Sequence, residues 1–347
     1  MGNVFKKLKK ALTPKLGCDS SSSSTAKSVL QPRPAAESYS GTESSDFSST
    51  SSNSSCEFGN IITNANNSNA SGGTFSFIES IEMIQDSFAL CIGGLLSVVA
   101  QEVRLTVRSA SSGVKIVSIP SGRHVNEISD EGQQGVVHLG NMYAEEDKQF
   151  LVYLLVPESS APHTKTSLLE ALCTYKDLAS NELMQVRCEK EEILRPEVCS
   201  PAEKAVCLEV DRQRNRVSVV EAIAEAQRMA EMGNLEGAKA TLAQERSTLL
   251  TSPATQAGDS LTTLLEAQLT EVIYRMTTIE LYTQTGRAYT LSEMSSHSLQ
   301  RAAASGDLTT WSLIMSAGGQ SATNSGVFET PNMSRMLGLS HNLGTNP

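Results

Sequence analysis

The side chains able to do acid–base, nucleophilic or metal chemistry are scattered along this chain. The five histidines, His124, His138, His163, His297 and His341, lie far apart. They form neither a His-Glu-x-x-His run nor a Cys/His cluster of the spacing zinc requires. The seven cysteines are Cys18, Cys56, Cys91, Cys173, Cys188, Cys199 and Cys207, with no C-x-x-C pair and no signal-peptide pattern before them. Several sit in apolar runs, such as "FALCIGG" and "EALCTYK", so buried, reduced thiols are expected. "DSSSS" at Asp19–Ser23 has the D-x-S-x-S spacing that can hold a divalent metal, but only where a buried strand aims it, and no apolar strand precedes Asp19. Glu145-Glu146-Asp147 in "NMYAEEDKQF" is an acidic trio. Paired catalytic carboxylates need a cleft that shifts their pKa values, so the trio reads as a solvated turn. His138 in "VVHLG" reads as an ordinary strand residue. No G-x-S-x-G elbow occurs, and "IGG" at 92–94 lacks the lysine of a phosphate loop. The expectation is therefore no catalytic, cofactor-binding or metal-binding residues.

The elements around these residues change character along the chain. Residues 1–70 are dominated by Ser, Asn and Thr and are expected to be a disordered leader, since they offer too little apolar surface to offset ordering entropy. Its first seventeen residues differ from the rest. Val4, Phe5, Leu8 and Leu12 share one side of a short helical pattern, flanked by Lys6, Lys7, Lys9 and Lys10. Three readings stay open for this stretch: weak contact with a membrane surface, an organelle-transit or nuclear role, and a solvated tail. Gly2 permits myristoylation, but Lys6 occupies the position where that motif wants Ser or Thr; Cys18 could carry a second acyl anchor. The net charge of −10 argues against nucleic acid as a partner.

Residues 71–101 read as a strand, "GGTFSFIE", followed by a helix from Glu79 to Ala100. Ile81, Ile84, Phe88, Cys91, Ile92, Leu95, Leu96 and Val99 recur there at helical spacing. Its uninterrupted apolar part, about 13 residues, falls short of the ~20 a bilayer needs. Gly93-Gly94 inside a helix costs on the order of 1 kcal/mol per Gly relative to Ala, which is tolerated where another backbone must approach closely. From 102 to 196 the period becomes two, in "EVRLTVR", "VKIVSI", "QGVVHL", "QFLVYLLV", "LLEALCTYKD" and "ELMQVRCEKEEI". Short strands at such intervals predict an antiparallel β-sandwich. Residues 197–308 return to helical spacing. Ser200, Pro201 and Glu203 form a capping box, two helices meet at "MGNLEG", Asp259 or Ser260 opens a third helix reaching about Tyr282, and a fourth runs from Leu291 to Ala304. Residues 309–347 read as a mostly disordered tail. The expected fold class is α+β: a strand and helix, an antiparallel β-sandwich, then α-helical hairpins.

Several stretches together, "SGGTFSFIE", "DSFALCIGGLLSVVAQEVRLTV", "LGNMYAEEDKQFLVYLLVP", "GNLEGAKATL", "GRAYTLSEMSSHSLQRA" and "FETPNMSRM", resemble the C-terminal half of plant RING/von Willebrand factor A ubiquitin ligases of the wavy-growth group, which act in root growth. The resemblance runs in order from about Ser71 to Met336. It implies that 71–101 is the terminal strand and helix of a truncated von Willebrand A domain, and the RING cysteines of the family have no counterpart in this sequence. The reading that follows is a non-catalytic protein–protein interaction protein, cytoplasmic, with full-length family members or a second copy of the chain as candidate partners. Two alternatives stand beside it: a substrate-binding or regulatory part of a ubiquitin ligase, and a peripheral membrane protein tethered by residues 1–17. Unless the helix at 79–100 finds cover on the sandwich, on a second copy or in a partner's domain, it would leave an apolar patch exposed.

Overall fold

The computed structural model describes residues 73–158, 164–196, 198, 205–303 and 327–343. The chain is α+β, as expected. Helix α1 (Glu82–Leu95) leads directly into the long strand β1 (Val98–Ser109). Then come β2 (Lys115–Ser118), β3 (Asn126–Ile128), β4 (Gln134–Tyr143), β5 (Tyr153–Leu155), β6 (Thr164–Asp177), β7 (Leu183–Arg187) and β8 (Glu191–Arg195). Every pairing is antiparallel. One sheet has the order β3-β4-β1-β6-β7, with β8 pairing the first half of β6; β2 and β5 form a second, two-stranded sheet.

The two sheets share one core. Val103 and Val107 of β1, Val137 and Leu139 of β4, and Cys173 and Tyr175 of β6 face Ile116 of β2 and Phe150. The sandwich is thus lopsided, six strands against two. "ELMQVRCEKEEI", expected as one strand, divides into β7 and β8, and both lie against the 14-residue β6. Register shifts near Ala100–Arg104, with Glu102 at φ 53°, bend β1 early in its course, as a bulge does.

The helices follow. α2 (Leu208–Glu231) and α3 (Leu235–Leu250) form the hairpin expected at "MGNLEG", with the Asn234 side chain accepting from the Gly237 N–H at the start of α3. The Ser200 capping box lies outside the described residues, and α2 begins at Leu208. After the short α4 (Pro253–Gln256), α5 (Ser260–Arg275) is capped by Asp259, which accepts from the N–H groups of Leu261 and Thr262. The helix expected to reach Tyr282 stops at Arg275. Thr278 caps a new turn, α6 (Ile279–Leu281), because its hydroxyl accepts the Leu281 N–H and so competes with the continuing helix. A π-helical turn at Tyr282–Gly286 then feeds α7 (Arg287–Leu299). The turn lets the chain pass close to α5: a Cβ on Gly286 would lie 2.8 Å from the Arg275 carbonyl oxygen. The fourth helix therefore begins four residues earlier than its apolar pattern suggested. Val219, Ile223, Leu242, Leu265, Leu269 and Met276 fill the core of this helical layer.

Two expectations for the flanking segments change. Residues 73–79 join no ladder. Instead, "TFSF" runs along α7, where Ser295 Oγ accepts the Phe75 N–H at 2.9 Å and Ser292 Oγ accepts that of Phe77 at 3.3 Å. Phe77 is buried in the helical core, edge-on to Tyr289. Serine hydroxyls thus satisfy the backbone groups that a neighbouring strand would have paired. Within the segment read as a loose tail, Pro331–Leu343 forms helix α8 and packs along α1. The glycine pair marks their closest approach, since a Cβ on Gly93 would lie 2.8 Å from the Met333 Cα.

Candidate functional site: a buried polar junction

Among the described residues, one group of charged side chains gathers in the interior where the sheet meets the helical layer. The turn after β4 supplies Glu146, Lys148 and Gln149; the end of α7 and the residues after it supply His297, Gln300 and Arg301; α2 supplies Gln213 and Arg216. Glu146 is the hub, at 8% exposure. Its Oε1 lies 2.7 Å from Arg301 Nε and 2.8 Å from Lys148 Nζ, and its Oε2 accepts the Tyr143 N–H at 2.9 Å. Arg301 also donates to the Asn141 carbonyl at 2.6 Å, and its guanidinium lies 4.1 Å from the Tyr143 ring centre.

For Glu146 this overturns the reading of Glu145-Glu146-Asp147 as a solvated turn; Glu145 and Asp147 are exposed, as that reading expects. The turn folds inward because Arg301, far along the chain, neutralises the carboxylate there. Burial pushes the Glu146 pKa up, but the charges of Lys148 and Arg301 outweigh it and hold the carboxyl below its usual range. For Lys148 burial wins over the pull of Glu146 and brings the ammonium down to about 8. Both groups are charged at neutral pH.

The junction continues through amide side chains. Gln149 and Gln300 form a reciprocal pair: Gln300 Oε1 accepts the Gln149 N–H at 2.8 Å, and Gln300 Nε2 donates to the Gln149 carbonyl at 2.9 Å. Arg216 donates to the Gln213 side chain and to the His297 carbonyl, each at 2.7 Å. Lys148 Nζ donates to the Leu299 carbonyl at 2.5 Å, which helps close the end of α7. His297 itself is enclosed. Its Nε2 faces Gln268 Oε1 at 2.8 Å, and Gln268 Nε2 in turn donates to Glu293. Burial, with the Arg216 charge, lowers the His297 pKa to about 3. His124 stacks edge-on against Phe150 and is lowered to about 4 by burial and the charges of Lys148 and Arg301. Both rings are neutral.

What this arrangement can do chemically is limited. The acids and bases are enclosed and already engaged with one another. A cleft of about 510 Å³ opens away from Glu146, between the β2 edge and α2, and is lined by Ile119, Pro120, Asn126, Tyr153, Arg214 and Glu221. Arg214 is drawn toward Asp211 at 2.8 Å. Among the described residues no group of three or more His, Cys, Asp or Glu side chains could hold a metal ion, and no helix is long and apolar enough to cross a membrane.

The other residues singled out in the sequence separate. His138 lies half-buried on β4, and His341 pairs with Asp86 at 2.6 Å. Cys173 and Cys188 are buried, and burial raises the Cys173 thiol to about 11. Cys91 and Cys207 are exposed, contrary to the expectation of burial. For Cys91 the reason is that α1 turns its other side to α8. Asp19–Ser23, His163, Cys18, Cys56, Cys199 and residues 1–17 lie outside the described residues. Sequence reasoning missed Arg301, Lys148 and Arg216 as partners of Glu146. A signal was available, since Glu146 and Arg301 each fall in a stretch that carries the family resemblance, but local pattern cannot pair positions 155 residues apart.

Comparison with known proteins gives this architecture a class. A family model described as VWA / Hh protein intein-like matches residues 259–341, which span α5 to α8 and include His297 and Arg301. Residues 259–341 are thus similar to a von Willebrand A-associated family. The E3 ubiquitin-protein ligase WAV3 of Arabidopsis thaliana is 30% identical over 195 residues, covering 55% of this chain and 25% of that protein. The probable E3 ubiquitin-protein ligase WAVH2 of the same plant is 29% identical over 201 residues, covering 54% and 25%. The chain is similar to these plant ubiquitin ligases, and its matched part spans about a quarter of the length of those relatives. Among solved structures, a von Willebrand factor type A protein from Catenulispora acidiphila aligns over 59% of this chain and 45% of its own, at 14% identity and a TM-score of 0.43. The ArnB paralog VWA2 from Sulfolobus acidocaldarius aligns over 58% and 42%, at 14% identity and a TM-score of 0.28.

Proposed function

We propose that this chain is a non-catalytic, cytoplasmic protein-interaction member of the family. One contrast carries the reading. The clustered acids and bases, Glu146, Lys148, Arg301 and His297, are enclosed and hold the sheet to the helices, whereas the open surface of α1 is apolar, with Ile81, Phe88 and Leu95 each more than half exposed. Enclosed groups serve cohesion, and an exposed apolar helix face serves contact. The test is a ubiquitination assay with the purified chain, activating enzyme, conjugating enzyme and ubiquitin. The expected result is no conjugates and no lysine discharge above the chain-free control. Conjugates made by the chain alone would overturn the reading.

A second reading is favoured by the relatives, both described as E3 ubiquitin-protein ligases. Here the chain supplies substrate binding or regulation to a ligase assembly acting in protein ubiquitination and root growth. Adding the chain to an assay driven by a full-length relative separates the two: a change in which substrates are modified supports the second reading, and unchanged output removes it. The basic stretch "KKLKKALTPK" supports a tether to an anionic membrane surface as a further property of either reading. Substituting Lys6, Lys7, Lys9 and Lys10 by Gln is expected to release the protein from membrane fractions, and an unchanged distribution would remove the tether.

A further inference from the structure

Helix α1 has two faces with opposite fates. Met83, Leu90, Gly93 and Gly94 turn toward α8, where Leu90 and Met333 are buried together. One end of this contact is fixed by Gln85 donating to the Ser340 carbonyl and by the Asp86–His341 pair. The opposite face carries Ile81, Ile84, Phe88, Cys91 and Leu95, spaced three, four, three and four residues apart. That is the spacing of a coiled-coil seam. All five are exposed, at 81% for Ile81, 40% for Ile84, 62% for Phe88 and 60% for Leu95. Ile92 and Leu96, also exposed, widen the stripe.

We propose that this seam is the interface of a homodimer, in which α1 pairs antiparallel with α1 of a second copy about a two-fold axis. The inference names the partner within the interaction reading and rests on it. In the antiparallel register, positions of one heptad class meet the other class across the axis. Phe88 of one copy then lies beside Cys91 of the other, and Ile84 beside Leu95, twice over by symmetry.

Two observations favour a second copy over another occupant. The first is area. The stripe leaves on the order of 600 Å² of largely apolar surface open, at the upper end of what a monomer carries as its largest patch. Two such faces together bury about 1,200 Å², the lower bound of a specific interface. The second is charge. Ser87 and Ile92, which flank the seam, are uncharged, so identical faces meet without repulsion although the whole chain carries −10. Asp86, which would otherwise bring like charge toward the axis, lies on the α8 side and is paired there with His341.

The experiment is sedimentation equilibrium of the full chain beside its Phe88→Asp variant, under reducing conditions. Phe88 is exposed in the fold, so the variant is expected to keep the wild-type circular dichroism spectrum and melting temperature. An interface of this size predicts a wild-type monomer–dimer equilibrium at concentrations on the order of ten to a hundred micromolar, weakened at least tenfold by the substitution. Ile84→Asp, on the outer layer, is expected to weaken it as well. A wild-type chain that stays monomeric over that range, or a dimer indifferent to both substitutions, overturns the proposal. A monomeric chain that still binds a full-length relative, and loses that binding on Phe88→Asp, overturns the homodimer while leaving the interaction reading intact. A monomer that binds neither itself nor the relative overturns both.

Discussion

Replacing Arg301 by Met removes one charge from the hub of the polar junction while roughly preserving side-chain volume. The arginine is 7% exposed. It supplies the Glu146 carboxylate with a hydrogen bond at 2.7 Å, the Asn141 carbonyl with one at 2.6 Å, and the Tyr143 ring with a cation at 4.1 Å. Removing one partner of a buried ion pair typically costs about 3–5 kcal/mol, because the remaining charge stays in a poorly solvated site. Here Lys148 stays within 2.8 Å of the same oxygen, and the Tyr143 N–H still reaches the other. The expected loss is therefore at the lower end, about 3 kcal/mol, or on the order of a hundredfold in the folding equilibrium. Urea unfolding followed by far-ultraviolet circular dichroism measures it. The double variant Glu146→Gln/Arg301→Met completes the cycle: once the carboxylate is neutral, losing the guanidinium is expected to matter less, leaving a coupling of about 1–3 kcal/mol. Arg301→Met within 1 kcal/mol of wild type, or strictly additive single and double variants, would refute the reasoning that a paired buried charge joins the two layers.

Three further outcomes follow from particular contacts. His297 and His124 are held neutral, with pKa values lowered to about 3 and about 4, so the unfolded chain binds their protons first as pH falls from its ordinary value of about 6.5. Stability is expected to fall with falling pH in that window, by about 1.4 kcal/mol per pH unit for each histidine, and urea midpoints that stay flat between pH 6 and 4.5 would contradict it. The Glu146 carboxyl, held low by its cations, contributes stability present above the ordinary carboxylate pKa and lost as pH falls through its lower folded value; Glu146→Gln is expected to flatten this acid limb. Gly93→Ala places a methyl 2.8 Å from the Met333 Cα, so α8 must shift, at a cost of about 1–3 kcal/mol. Faster amide exchange in Pro331–Leu343 with unchanged exchange in β1 and β6 is the expected signature; an unaltered α8 would exclude the close approach.

How much of this was legible before folding depends on how local each cause is. The change of period from helical to alternating and back placed α1, the strands and the α2–α3 hairpin, because amphipathic spacing reports which face each element buries. Asp259 marked the start of α5 because a cap acts within three residues of itself. Even the Gly93-Gly94 pair announced a close backbone neighbour, although not that the neighbour would be Met333 in a segment read as loose. The π-turn and the early start of α7 were not legible, since the competition between Thr278 and the continuing helix is settled by packing against Arg275. The burial of Glu146 was least legible of all. An acidic trio beside a strand is solvated unless a cation meets it, and that cation, Arg301, arrives only when the end of α7 is laid against the turn after β4. Composition and periodicity determine which elements this chain forms; which charges lie inside is decided by long-range neutralisation, which exists only once those elements are assembled.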